Sequence, residues 1–330
     1  MNRPASARII GTGMYVPDRV MTNEDFASIV DTNDEWIVQR TGMKERRIAE
    51  AGQATSDLAV EASRAALQNA GVAPEEVDLV LCATITADNT LPSTACWIQH
   101  RLGCRKAGAF DLTAACSGHL YALAQARAAI LSGQARTVLV TSAEILSRIT
   151  DYTDRGTCVL FGDGAGAAVL QASDKANTGI LYTTLYADGS GGDLMILPAG
   201  GSRRPSSHET IDQRLHYMHI RGREVFKFAV TKMEELIDEC LKESGLSVND
   251  VRLVIPHQVN TRIIDAATSR MGFPPEKVFL NIEKYGNTGG ASIAIAHDEA
   301  RRQGLLKAGD AAVFIAFGGG LTWAGVVVRH

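Results

Sequence analysis

The chain has 330 residues, 45% hydrophobic and 21% charged, which is too long for one simple core and long enough for two similar α/β halves. The formal net charge of -4 gives no electrostatic footprint for nucleic acid or an anionic membrane surface. No apolar run approaches the ~18 residues of a membrane span.

From the N-terminus, Met1–Gly13 carries no signal-peptide pattern, and Ala7–Gly13 reads as a short strand entering a glycine turn. A cytoplasmic protein with free thiols is therefore expected. The six cysteines form no CxxC pair, and no Cys/His cluster has zinc-ligand spacing, so no metal site is expected. An amphipathic helix follows over about Ser56–Ala70, ending at Gly71, then a polar turn and the apolar strand Leu79–Ala83. A second strand, Gly108–Leu112, leads through Ala114–Gly118 (AACSG) into a nearly charge-free helix, His119–Ser132, and the strand Thr137–Thr141. FGDGAGA (Phe161–Ala167) is glycine-rich, but its spacing is not GxGxxG and Ala167–Gln171 reads as a strand, which argues against a dinucleotide site. The polar, aperiodic stretch Gly200–Tyr217 reads as a surface loop.

The same order then recurs. A helix over Arg223–Ser244, a glycine, a polar turn and the strand Leu253–Pro256 repeat the earlier unit, and residues 240–260 align with 66–86 without a gap. A further helix, Ile293–Gln303, ends near Gly304 and precedes the strand Ala312–Phe317. Duplication predicts two βαβ-rich halves, residues 1–172 and 173–330, stacked as α-β-α-β-α layers. The uninterrupted apolar strands suggest sheets covered on both faces.

Cys116 stands where the first buried helix begins, and free backbone N–H groups and the helix dipole there favour thiolate. Taken alone it would be one more packed core cysteine. His257 falls at the end of an apolar strand, in Pro256–Asn260 (PHQVN). Asn287 lies in Tyr285–Ser292 (YGNTGGAS), before the helix that matches the one after Cys116. Pseudo-symmetry brings both helix starts to one central site, where a nucleophile and two hydrogen-bond donors suit thioester chemistry. The glycines of Ala316–Gly325 (AFGGGLTWAG) offer bare N–H groups to an oxyanion.

AACSG, PHQVN, YGNTGGAS and AFGGGLTW, together with Asp31–Arg46 (DTNDEWIVQRTGMKER), Asp154–Gly156 (DRG) and FGDGAGA, resemble 3-oxoacyl-[acyl-carrier-protein] synthase III, a condensing enzyme of the thiolase superfamily. The resemblance runs from about Ala7 to Arg329 and implies a thiolase-like five-layer α/β fold. It implies a catalytic set of Cys116, His257 and Asn287, with the Gly319 N–H at the oxyanion and Phe317 keeping water from the decarboxylating carboxylate. Trp36 and Arg155 would sandwich the adenine of coenzyme A, Arg40 its phosphate end, and Asn260 would line its channel. Arg262 would dock acidic acyl carrier protein, and Leu91, from the partner of a homodimer, and Leu321 would wall the acyl pocket. The substrates implied are acyl-CoA and malonyl-ACP, with no cofactor. The family's usual NTSAAS is here NTGGAS, which loosens the turn at Asn287. Val259 stands where Ala is common, Leu321 where an aromatic often follows the glycines, and Leu91 where a bulky residue often floors the pocket; together these departures put an acetyl preference in doubt. A specialised synthase with a longer or unusual starter, a Cys-dependent thioesterase, and a silent partner subunit are the other readings.

Overall fold

A computed structural model describes residues 4–330; Met1–Arg3, part of the stretch read as leaderless, lie outside the described residues. The long strands are β1 (Ser6–Tyr15), β2 (Leu79–Ala83), β3 (Gly108–Leu112), β4 (Thr137–Ile145), β5 (Asp163–Ser173), β6 (Gly179–Ala187), β7 (Val251–Pro256), β8 (Ala311–Gly318) and β9 (Thr322–Arg329). They form one sheet in the order β1-β5-β4-β2-β3 and another in the order β6-β9-β8-β7. Position by position the pairings match: antiparallel for β1/β5 and β6/β9, antiparallel for β5/β4 and β9/β8, parallel for β4/β2 and β8/β7. The aligned segments 66–86 and 240–260 thus end on equivalent strands, β2 and β7. Where a counterpart of β3 would lie, the second sheet has a single bridge, Val254 to Val278.

The principal helices are α1 (Asp34–Thr41), α2 (Thr55–Ala70), α3 (Thr94–Leu102), α4 (Gly118–Ser132), α5 (Gly222–Ser244), α6 (Thr261–Arg270) and α7 (Ser292–Arg302). α2 and α3 cover the outside of the first sheet, α5 packs on the outside of the second with α6 beside it, and α4 and α7 lie between the sheets. This is the five-layer arrangement expected from the sequence. Val138 and Val140 of β4 point into the central core while Leu139 points into the outer one, and Ile255 and Val254 of β7 divide the same way. Strands β2, β4, β7 and β8 are therefore largely dry on both faces, which is why they show no polar alternation, while the edge strand β3 stays partly exposed. α4 has Arg127 as its one charged side chain and buries most of its length between the sheets. The equivalent helices α2 and α5 both end at left-handed glycines, Gly71 and Gly245.

Two expectations change. The glycines near the N-terminus do not make a turn: β1 runs on to Tyr15, with a bulge between Ile9 and Gly11. They are there because α2 lies against the strand, and a Cβ at Gly13 would stand 2.4 Å from the Ala62 carbonyl oxygen. The stretch Gly200–Tyr217 is not simple loop either. It holds a short helix, His208–Asp212, capped by Ser207, and Arg214 pairs with Asp151 while stacking on Tyr217. The Arg214–Asp151 pair spans 63 residues, and a single short helical turn is too brief to show a period.

Candidate active site

The C-terminal ends of β2, β4, β7 and β8 open onto one cavity of about 430 Å³. Cys116, His257, Asn287, Phe317 and Gly319 all line it. These residues come from segments up to two hundred positions apart, and the duplicated topology brings them together.

Cys116 sits in the tight turn Ala115–Ser117 that feeds α4. Ala115 has φ +45, a conformation costly for a residue with a side chain, and Thr322 fixes the turn by donating from Oγ1 to the Ala114 carbonyl at 2.9 Å. Gly318 lies directly behind: a Cβ there would be 2.6 Å from the Cys116 nitrogen. The sequence suggests a lowered thiol pKa. Instead burial, with Glu144 adding to it, pushes the Cys116 thiol up to about 12, because desolvation outweighs the short helical turn's field. The resting nucleophile is a protonated thiol.

His257 extends β7 by one residue, its N–H donating to the Ile315 carbonyl at 2.8 Å. The ring is 1% exposed and meets Phe317 edge-on at 5.9 Å between centroids. Burial pushes it down to about 3, so it is neutral. Its Nδ1 lies 2.7 Å from Ser292 Oγ, and its Nε2 has no hydrogen-bond partner among the described residues. Ser292 Oγ also accepts from the Gln258 N–H at 3.4 Å, which favours the hydroxyl proton pointing to Nδ1 and the ring proton on Nε2. Ser292, the first residue of α7, was not singled out in the sequence; only its place at a helix start inside YGNTGGAS could have flagged it.

Asn287 is held on both sides, its N–H donating to Leu160 O at 2.9 Å and its carbonyl accepting from Gly162 N–H at 3.0 Å. Its Oδ1 accepts from Gly289 N–H at 2.9 Å, which leaves the amide NH₂ to serve the cavity. A neutral imidazole N–H and an amide N–H are two uncharged donors, a pair suited to an oxygen that becomes negative.

Trp36 and Arg40 line the outer part of the cavity from α1, with Asn260, the N-cap of α6, beside them. Asn260 Nδ2 donates to the Arg40 carbonyl at 2.7 Å, joining the two helices. Arg40 and Arg155 each place their guanidinium carbon 4.4 Å from the Trp36 ring centroid, so Arg155 lies on the indole itself. Arg262 is exposed two residues after Asn260 and does not line the cavity. Neither do the two expected acyl-pocket residues. Leu91 is 85% exposed in this single chain, and Leu321 is buried against Gly191. The apolar walls are instead Ile85, Leu146, Ile149, Met195 and Met218, supplied by segments that carry no motif. Among the described residues no cluster of three or more His, Cys, Asp or Glu side chains is arranged to hold a metal ion, and no helix is long and apolar enough to cross a membrane.

Comparison with known proteins agrees with this architecture. The family described as 3-Oxoacyl-[acyl-carrier-protein (ACP)] synthase III matches residues 110–189, and its C-terminal part matches residues 241–330. The chain is 52% identical over 324 residues to a beta-ketoacyl-[acyl-carrier-protein] synthase III of Caldanaerobacter subterraneus subsp. tengcongensis, covering 98% of each chain. It superposes with TM-score 0.90 on the 3-oxoacyl-[acyl-carrier-protein] synthase III of Aquifex aeolicus VF5, at 47% identity and covering 98% of this chain and 100% of that one. A priming beta-ketosynthase of the R1128 polyketide biosynthetic pathway matches with TM-score 0.92 at 37% identity, covering 99% of this chain and 97% of that one. The chain belongs to the 3-oxoacyl-[acyl-carrier-protein] synthase III family, condensing acyltransferases of thiolase-like fold.

Proposed function

We propose that this enzyme joins an acyl-CoA starter to malonyl-ACP by decarboxylative Claisen condensation, with Cys116 as the acyl carrier and His257 and Asn287 as the donors to the enolate. The observation that carries this reading is that the three side chains open on one cavity whose outer part holds Trp36 and Arg40.

In the first half-reaction the Cys116 sulfur bonds to the thioester carbonyl carbon. The thiol proton leaves with the departing coenzyme A sulfur, and the Cys116 and Gly319 N–H groups receive the transient oxyanion. Burial raises the thiol, so its proton loss is coupled to attack on the thioester. In the second half-reaction malonyl-ACP loses carbon dioxide. The electron pair becomes an enolate whose oxygen takes hydrogen bonds from His257 Nε2–H and Asn287 Nδ2–H. The enolate carbon then attacks the acyl-cysteine, and the released Cys116 sulfur regains a proton. Phe317, edge-on to His257, excludes water from this step.

Around this centre, Trp36, Arg155, Arg40 and Asn260 receive coenzyme A. Adenine would take over the indole face on which Arg155 now lies. Arg262 docks acyl carrier protein, and a homodimer partner covers the exposed Leu91. The protein acts in the cytoplasm, without a cofactor, and divides between residues 172 and 173. A starter longer than acetyl, as in a specialised priming synthase, is the second reading. The apolar walls and the likeness to the R1128 priming ketosynthase favour it.

The test is intact-protein mass spectrometry after incubation with acyl-CoAs of graded length. One acyl adduct per chain, absent from Cys116→Ala, is expected. An adduct that survives in Cys116→Ala, or none with any starter, would overturn the reading.

A further inference from the structure

Glu144 is the last residue but one of β4 and is fully buried, yet no cation approaches it among the described residues. Burying an acid without a cation is costly, and an apolar side chain would fill a purely structural position at less expense. Among the described residues its carboxyl oxygens accept only from the segment just after β2: from Thr86 Oγ1 at 2.7 Å, from the Ile85 N–H at 3.2 Å to each oxygen, and from Thr84 Oγ1 at 3.3 Å. Ile85, in the middle of that segment, is a wall of the cavity.

The other side of the carboxylate faces the turn behind Asn287. A Cβ at Gly289, where φ is +56, would stand 3.1 Å from Glu144 Cγ. A Cβ at Gly290 would stand 3.5 Å from a Glu144 carboxyl oxygen and 3.0 Å from the Ala115 carbonyl. Of the two glycines that depart from the family's NTSAAS, Gly289 is the one whose missing side chain leaves room for this acid, while Gly290 touches it at ordinary contact distance and makes room for the Ala115 carbonyl. Gly289 N–H holds Asn287 Oδ1, and Ala115 precedes Cys116, so a shift of this turn moves both. Glu144 does not itself line the cavity.

We infer that Glu144 is a positioning residue of the condensation, one carboxylate that holds the Ile85 wall and the Gly289–Gly290 turn in a fixed register. The starter pocket and the enolate site are then set by the same side chain. The inference rests on the reading of Cys116, His257 and Asn287 as the reacting set.

Full-length Glu144→Gln and Glu144→Asp test it. The first keeps the size but turns amide hydrogens toward N–H and O–H donors; the second keeps the charge but falls one methylene short. For each, intact mass gives the fraction of chains acylated. KM is measured across acyl-CoA lengths, and condensation is expressed per acylated chain. Both variants are expected to acylate to one per chain, with a shifted starter optimum and a condensation rate lower by about tenfold or more, as displacement of a reacting group implies. A merely structural acid would change thermal stability while leaving the length profile and the rate per acylated chain as in wild type, and that result overturns the inference. Should Glu144→Gln not fold, Glu144→Asp decides alone. If wild type itself takes no acyl group, the reading of Cys116 fails and this inference with it; a normal wild-type adduct beside unchanged variants overturns this inference only.

Discussion

His257 and Asn287 illustrate how uncharged donors are prepared. Burial keeps the imidazole neutral, Ser292 occupies Nδ1, and Gly289 occupies the amide oxygen, so each residue has N–H left for the cavity. Removing one preorganised donor to an oxyanion typically costs ~10²–10³ in rate. His257→Ala and Asn287→Ala should therefore lower condensation by that order while leaving acylation of Cys116 less affected. Rapid-quench measurement of the two half-reactions separates the effects, and equal losses in both would contradict the assignment. These residues were legible in the sequence because each lies inside a short motif with fixed neighbours. Ser292 and Glu144 were not, since their importance lies in contacts across 35 and about 60 residues that no local pattern records. The thiol departs from expectation for a related reason: a helix start can be seen in a sequence, but the desolvation that overrides it cannot.

Among the elements, β1 and α2 show what glycine does away from the site. At Gly11 and Gly13 the helix backbone touches the strand, and the Ala66 and Ala62 carbonyl oxygens occupy the space a Cβ would need. Gly13→Ala is expected to cost roughly 1–3 kcal/mol, the usual range for overpacking. The variant should melt at a lower temperature yet acylate Cys116 to the same stoichiometry. An unchanged denaturation midpoint would show that the helix can retreat. The repeated helix–glycine–strand units were legible because each is local in sequence and uses a C-cap glycine. That Gly11 and Gly13 sit within a strand was not, because the residues that crowd them lie about fifty positions away. The loop Gly200–Tyr217 itself stays out of the cavity, but the residues just outside it, Met195 to Leu197 and Met218, line it and carry no local pattern that says so.

At the scale of the molecule, duplication places the starts of α4 and α7 side by side between the sheets and buries several imidazoles. Burial pushes His119 and His330 down to about 4 and His257 to about 3, and His297 is also strongly lowered. The unfolded chain takes up these protons below about pH 6.5 and the folded one does not, so their contribution to stability is lost as pH falls from there toward 4. Glu144, pushed up to about 7, and Asp163, also raised, act in the opposite sense, but four imidazoles outweigh two carboxyls. Each tenfold difference in proton affinity between the folded and unfolded chain is worth about 1.4 kcal/mol, so the net loss is on the order of several kcal/mol. Urea denaturation at pH 7.5 and pH 5 should show the lower midpoint at pH 5; the reverse order would refute this account of the core. The central claim is that one acyl-cysteine is consumed in forming a carbon–carbon bond. It is tested most directly by loading the enzyme with an acyl-CoA, removing free coenzyme A, and chasing with malonyl-ACP in a single turnover. The account predicts loss of the Cys116 adduct, release of one carbon dioxide, and a 3-oxoacyl-ACP two carbons longer than the starter. An adduct that persists through the chase, or leaves as the free acid, would contradict it.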